Sequence, residues 1–227
     1  MQLTKKDQLE KALLDIAQRA RAAARALAKL SSREKDEALR SVAANLRART
    51  EFIVERNASD LERANKAGLS GAMIDRLTLN EDRIGAMADG LEEIANLRDP
   101  VGEVISMWKR PNGLRIGKTR VPIGVIGFIY ESRPNVTVDA AGLCLKSGNA
   151  IILRGGSEAI DSNAAIADII ADSLARAGLP AAAAQLLRTT DRAAVGIMLK
   201  LDEYIDLIIR AGARGSSNGS SRIRRFP

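Results

Sequence analysis

The sequence predicts an α/β protein: an N-terminal helical layer, then a doubly wound parallel sheet, with a β-hairpin arm between them. Three observations carry this. Apolar residues recur at helical spacing through the first hundred positions. An Asn112-Gly113 pair sits between two short β-prone runs, a strong two-residue turn signal. From position 121 onward, short β-branched runs alternate with helical segments, the pattern of parallel strands joined by crossover helices.

Residues Thr4 to about Leu30 are Ala-rich, with Leu9, Leu13, Ile16, Ala20 and Leu27 on one helical stripe. Ser31 and Glu34 have the spacing of a capping box. They open a second helix that carries Leu39, Val42, Ala43, Leu46 and Ile53 and is predicted to continue to Gly68. Asn80 is the predicted N-cap of a further helix to about Leu97, with Ile84, Met87, Leu91 and Ile94 facing inward. The hairpin strands lie in Val101–Trp108 and Leu114–Val121. Ile123–Tyr130 then reads as a buried strand, and Pro134 suits the first turn of a helix reaching about Leu145. Ala150–Leu153 is a second strand, and Gly155-Gly156-Ser157-Glu158 is expected to cap a helix running to Ala177. Gln185–Leu187, Asp191–Lys200 and Tyr204–Ile209 complete the alternation as strand, helix and strand. Residues 1–100 are thus assigned to the helical part, 101–120 to the arm, 121–209 to a Rossmann-like cofactor-binding part and 210–227 to a basic tail.

Composition removes several functions. No apolar run approaches the ~20 residues that span a bilayer, and the first residues lack a secretory signal, so membrane association is not expected and the expected location is the cytoplasm. One cysteine and no histidine exclude an internal disulfide, a thiolate zinc cluster, an imidazole metal site and a Ser-His-Asp triad, so no metal is expected. The formal net charge of +7 is concentrated in five arginines after Ile209; positions 1–209 hold 30 basic and 28 acidic residues. With aromatics at 3%, base-stacking platforms are lacking, and nucleic acid is not an expected partner.

On a parallel sheet, ligands sit beyond the carboxyl ends of the strands. Here those ends are Glu131–Asn135 and Arg154–Glu158. The G-x-G-x-x-G fingerprint is absent, since Gly124 and Gly127 fall within the first strand segment, so a conventional Rossmann pyrophosphate grip is unsupported. Arg154 ends the second strand, where NAD sites carry a carboxylate for the ribose diol and NADP sites need a cation for the 2′-phosphate. Gly155 and Gly156 would let a ligand approach the backbone, and Ser157 starts a helix. Two readings of Arg154 stand: an NADP-selecting cation, or a surface arginine beside a glycine turn. Asn135 likewise reads as a local helix cap or as an oxyanion donor at the sheet edge. Cys144 lies mid-helix in apolar company and reads as a packed, inert thiol, and Lys146 as a complement to the helix dipole.

The run from Arg120 through Gly127-Phe128-Ile129-Tyr130-Glu131-Ser132-Arg133-Pro134-Asn135 to Leu153-Arg154-Gly155-Gly156-Ser157-Glu158-Ala159 closely resembles the gamma-glutamyl phosphate reductase (glutamate-5-semialdehyde dehydrogenase) family, a branch of the aldehyde dehydrogenase superfamily. The resemblance covers residues 7–209 and includes Asp75-Arg76-Leu77, Asp99-Pro100-Val101-Gly102 and Thr189-Thr190-Asp191-Arg192. It implies an oxidoreductase of proline biosynthesis. Such an enzyme uses NADPH to reduce gamma-glutamyl phosphate to glutamate 5-semialdehyde, releasing phosphate, through a cysteine thiolate and a thioester. By position, it implies that Asn135 stabilises the oxyanion and that Arg154, replacing a lysine, contacts the adenosine ribose. Ser157 and Glu158 match the neighbouring cofactor-side positions. It also implies that the hairpin is an oligomerisation arm, hence a homo-oligomer, and that the kinase supplying the acyl phosphate, glutamate 5-kinase, is a partner by pathway.

The family's nucleophilic cysteine follows the fourth strand, in a separate catalytic domain; the chain is expected to stop before that domain, and Cys144 matches a non-catalytic helix position. After Ile209 the family pattern gives way to the polar, basic run Arg210–Pro227. This run reads either as a shifted reading frame or as a natural disordered extension. The expected consequence is no reductase activity from these 227 residues. The alternative function is a non-catalytic NADP-binding or oligomerising module.

Overall fold

A computed structural model of the protein describes residues 4–212 and 224–225. Its helices are α1 (Lys5–Leu27), α2 (Ser32–Ala48), α3 (Thr50–Lys66), α4 (Gly71–Leu77), α5 (Glu81–Asn96), α6 (Asn135–Lys146), α7 (Ile160–Arg176) and α8 (Ala193–Met198). Its strands are β1 (Val104–Lys109), β2 (Arg115–Thr119), β3 (Val125–Ile129), β4 (Ala150–Arg154), β5 (Ala184–Leu186), β6 (Leu207–Arg210) and β7 (Arg224–Arg225). β1 and β2 form the antiparallel hairpin. The other five make one sheet in the order β5-β4-β3-β6-β7, with β3 to β6 mutually parallel.

The predicted fold class is the observed one, with revisions. The expected continuous helix over 31–68 is two: Arg49 leaves helical geometry (φ −114°, ψ 26°), and the Thr50 hydroxyl donates back to the Arg47 carbonyl at 2.9 Å. A β-branched hydroxyl that bonds the preceding turn competes with the helical ladder and bends it. α4 was not foreseen, being only seven residues between Gly68 and the Asn80 cap. Of the stretch assigned to the tail, Arg210 ends β6, Ala211 and Gly212 follow it, and Arg224 and Arg225 pair antiparallel with β6. Residues 213–223 and 226–227 lie outside the described residues.

The helical part is not one layer. α1 and α8 cover one face of the parallel sheet, whereas α6 and α7 cover the other. α2, α3 and α5 pack on the outside of α6 and α7. Hence α6 is buried on two sides, which is why Val138, Ala141, Cys144 and Leu145 leave it little polar surface. Lys146 is buried too, and its ammonium bonds the Asp36 carboxylate of α2 and the Ala95 carbonyl of α5. It therefore ties three helices together, a contact invisible to the reading that gave it to the helix dipole.

α1 is fastened at the opposite end of the sheet from the ligand-facing edge. Arg21 forms a bidentate pair with Asp206 (2.7 and 2.9 Å), and Asp206 also accepts from the Val125 amide at 2.8 Å. Gly124, entering β3 at φ +124°, permits this, because a Cβ there would lie 2.2 Å from Asp206 Oδ2.

Candidate functional site

Strand order places β4 and β5 on one side of β3 and β6 on the other, so the connections leaving β3 and β6 diverge at their carboxyl ends. In that crevice lies a cavity of about 320 Å³, lined by Tyr130, Glu131, Arg133 and Val136 after β3, Gly212 after β6, and Arg76 from α4. An adjoining hollow of about 390 Å³ is lined by Arg76 and Arg133 again, with Asp75, Arg83, Asn135 and Asp139.

Asn135 is exposed at the start of α6. It is not the helix cap: Pro134 holds that position without a side-chain bond, and the Asn135 amide instead lies 3.4 Å from Asp139 Oδ2, one turn on. Burial pushes the Asp139 carboxyl above its usual value, against the lowering effect of that amide. The amide faces the open hollow, within reach of a ligand entering from the sheet edge.

Arg154, half-buried, ends β4. Its Nη1 donates to the Gly155 carbonyl at 2.9 Å and its Nη2 reaches the Thr190 carbonyl at 3.5 Å, so the guanidinium leans from its own loop toward the one after β5. Among the described residues its buried Nε has no partner, and no carboxylate pairs with the group. Arg154 lines neither hollow named above, so Arg154 and Asn135 mark two separate parts of the sheet edge.

The residues after Arg154 differ from expectation. Ser157–Ala159 form a single 3₁₀ turn, and Glu158 folds back over Gly156 rather than capping α7. The cap comes from α3. The fully buried Asp60 accepts from the Ser162 amide (2.8 Å), the Ser162 hydroxyl (2.6 Å) and the Asp161 amide (3.2 Å), and pairs with Arg63. Burial pushes the Asp60 carboxyl up, while these donors and Arg63 oppose the shift. The helix start that holds phosphate in a conventional dinucleotide site is therefore already filled by a carboxylate.

Beneath the loop runs a buried polar chain that sequence reasoning missed. Tyr130 Oη lies 2.6 Å from Thr137 Oγ1, which donates to Asn163 Oδ1 at 2.9 Å. With the Thr137 proton spent on Asn163, the Tyr130 hydroxyl is the donor to Thr137, and burial holds its pKa above the ordinary phenol value. Gly155 rests directly on this chain: a Cβ there would stand 2.3 Å from Asn163 Nδ2 and 3.1 Å from Tyr130 Oη. Thr137 and Asn163 sit at core positions of α6 and α7, and a polar side chain on an otherwise apolar stripe was the available signal.

Cys144 is 7% exposed, and burial pushes its thiol up to about 12. No helix among the described residues is long and apolar enough to cross a membrane, and no group of metal-ligating side chains occurs among them.

A profile of the aldehyde dehydrogenase family matches residues 2–218. The gamma-glutamyl phosphate reductase of Desulfatibacillum aliphaticivorans is 55% identical over 203 residues, 89% of this chain and 49% of its own length. The crystal structure of gamma-glutamyl phosphate reductase from Thermotoga maritima superposes with a TM-score of 0.87 at 45% identity, covering 88% of this chain and 49% of that one. The Saccharomyces cerevisiae gamma-glutamyl phosphate reductase gives 0.81 at 33% identity, covering 93% and 52%. The chain thus spans about half the length of the curated relatives it matches. On this profile match and the shared parallel sheet with its helical layers, the chain belongs to the aldehyde dehydrogenase family.

Proposed function

We propose that this chain is the cofactor-holding part of an NADPH-dependent reductase that converts gamma-glutamyl phosphate to glutamate 5-semialdehyde and phosphate in proline biosynthesis. Membership of the family brings a nicotinamide cofactor and a small-molecule substrate. The observation that carries the NADP choice is Arg154: a cation with no carboxylate partner, at the strand end where the adenosine ribose is read.

The residues fit such a cofactor. The guanidinium donates to two backbone carbonyls and to no carboxylate among the described residues, and its buried Nε has no partner there. Gly155 packs on the Tyr130–Thr137–Asn163 chain and Gly156 lies under the Glu158 carboxylate, so a ligand would reach this backbone only with Glu158 turned aside. Because Asp60 fills the start of α7, that helix start would not hold the cofactor's phosphates, and side chains or loop amides would have to. When bound, the dinucleotide supplies a hydride. Asn135 acts at the other part of the edge, donating its amide to the oxygen that gains charge when the acyl carbon becomes tetrahedral. The covalent nucleophile does not come from Cys144, which is neutral and shielded at neutral pH. Reduction therefore needs a thiolate from outside these 227 residues.

One observation favours a second reading, an oligomerising module: all six residues of β1 are exposed, Ile105, Met107 and Trp108 among them.

The test is a titration of the purified 227-residue chain with NADPH and NADH, followed by nicotinamide fluorescence. NADPH is expected to bind at least tenfold more tightly than NADH, and Arg154→Glu to remove about tenfold of NADPH affinity, as for one charge-assisted phosphate contact. Equal affinities in the wild type, or an Arg154→Glu chain that keeps the wild-type preference for NADPH undiminished, would overturn the assignment.

A further inference from the structure

The two hollows at the switch point share one wall, made by Arg76 and Arg133. The two guanidiniums come from distant sequence positions, one in α4 and one in the connection leaving β3. Neither has a hydrogen-bond, ion-pair or ring partner among the described residues. That sets them apart from neighbours: Arg83 is fully engaged, donating to Asp75 Oδ1 at 2.7 Å and to the Thr78 carbonyl at 2.8 Å. This clamp fixes the carboxyl end of α4 and so holds Arg76 facing the cavity, while Asp75 is used up by Arg83 rather than by Arg76. Asp139, the other carboxylate of the outer hollow, is engaged by Asn135. Glu131 lines the inner cavity and lies toward Gly212, on the β6 side. Among the described residues, two guanidiniums line the α4 side of the inner cavity and one carboxylate lies on its β6 side.

We propose that Arg76 and Arg133 form a carboxylate-recognition pair that seats the non-reacting, carboxylate-bearing end of the substrate at the mouth of the cavity. The inference deepens the function proposed above and rests on it for the substrate being a small amino-acid-derived acyl phosphate. Planar guanidiniums suit this task because a carboxylate accepts two parallel N–H donors, giving orientation as well as affinity. Asn135 opens onto the same outer hollow, so a ligand held by its carboxylate at this wall extends past the amide that receives the developing oxyanion charge. The pair thus positions the substrate and takes no part in bond making.

The cavity at a switch point is also where cofactor phosphates lie in many sheets, so the experiment separates the two sources of negative charge. Side-chain Nε–Hε resonances of arginine are followed in the 227-residue chain while L-glutamate is added, and NADPH affinity is measured in parallel. The wild type is expected to bind L-glutamate saturably, with the resonances of Arg76 and Arg133 shifting. Arg76→Gln and Arg133→Gln should each weaken glutamate at least fivefold and leave NADPH affinity within twofold. Arg115→Gln, in the hairpin, should change neither. Amide spectra report whether each variant is folded; if one unfolds, Arg76→Lys or Arg133→Lys replaces it, and partial retention of glutamate binding is expected. The proposal is overturned if glutamate fails to bind a folded wild type, if it binds equally to the glutamine variants, or if those variants lose NADPH instead. Loss of NADPH selectivity with glutamate binding intact would count against the Arg154 assignment alone.

Discussion

Cys144 shows how burial decides a residue's chemistry. An apolar helix position already marked it as packed, and the structure adds the energetic consequence: the folded thiol stays protonated to about 12, whereas an exposed thiol titrates near its ordinary value of 9.0. The folded state therefore holds a proton that the unfolded state releases, so stability is lost as pH rises above that ordinary value. The slope is about 1.4 kcal/mol per pH unit until the folded thiol itself ionises. Urea denaturation between pH 8.5 and 10 should show this slope in the wild type (roughly one proton's worth) and its removal in Cys144→Ala; identical slopes would show that the thiol is not shielded. The places of Arg154 at a strand end and Asn135 at a helix start were legible because such boundaries are fixed by local pattern. Asp60, Thr137 and Asn163 were not, since each is defined by partners a hundred residues away or on a neighbouring helix.

Elements were legible where their signals were local. The capping box at Ser31 and the Asn80 cap form as their spacing requires, and the structure adds a capping box at Thr4. The break at Arg49 and the short α4 were not, because a hydroxyl's choice of acceptor and a seven-residue helix are settled by packing. α6 is the element on which the layers depend. Its last residue, Lys146, is buried and bonds Asp36, whose side chain is 21% exposed, so the pair is only partly desolvated. Lys146→Ala is expected to cost about 2–4 kcal/mol in urea denaturation, below the full cost of breaking a wholly buried pair. Pairing Lys146→Met with Asp36→Leu should recover most of the loss. A cost under ~0.5 kcal/mol for Lys146→Ala would mean the contact does not hold α6 to α2 and α5.

For the whole molecule, the alternation of strands and helices was sufficient to anticipate a parallel sheet, but not that α1 lies on the face opposite α6 and α7. Nothing local in an amphipathic helix says which side of a sheet it will cover. The hairpin stands apart from both layers with Ile105 57% and Met107 65% exposed, on one side of β1. Sedimentation should find the wild-type chain as a dimer or larger and the Ile105→Asp, Met107→Asp variant at least tenfold weaker in association; an unchanged assembly would remove the oligomerisation reading. Finally, the carboxylate of Asp60 spends the dipole of α7 on holding the frame together. If the function proposed above holds, preference between phosphorylated and plain nucleotides falls to a side chain at the rim, and a substitution at Arg154 that alters it would leave intact the architecture that carries it.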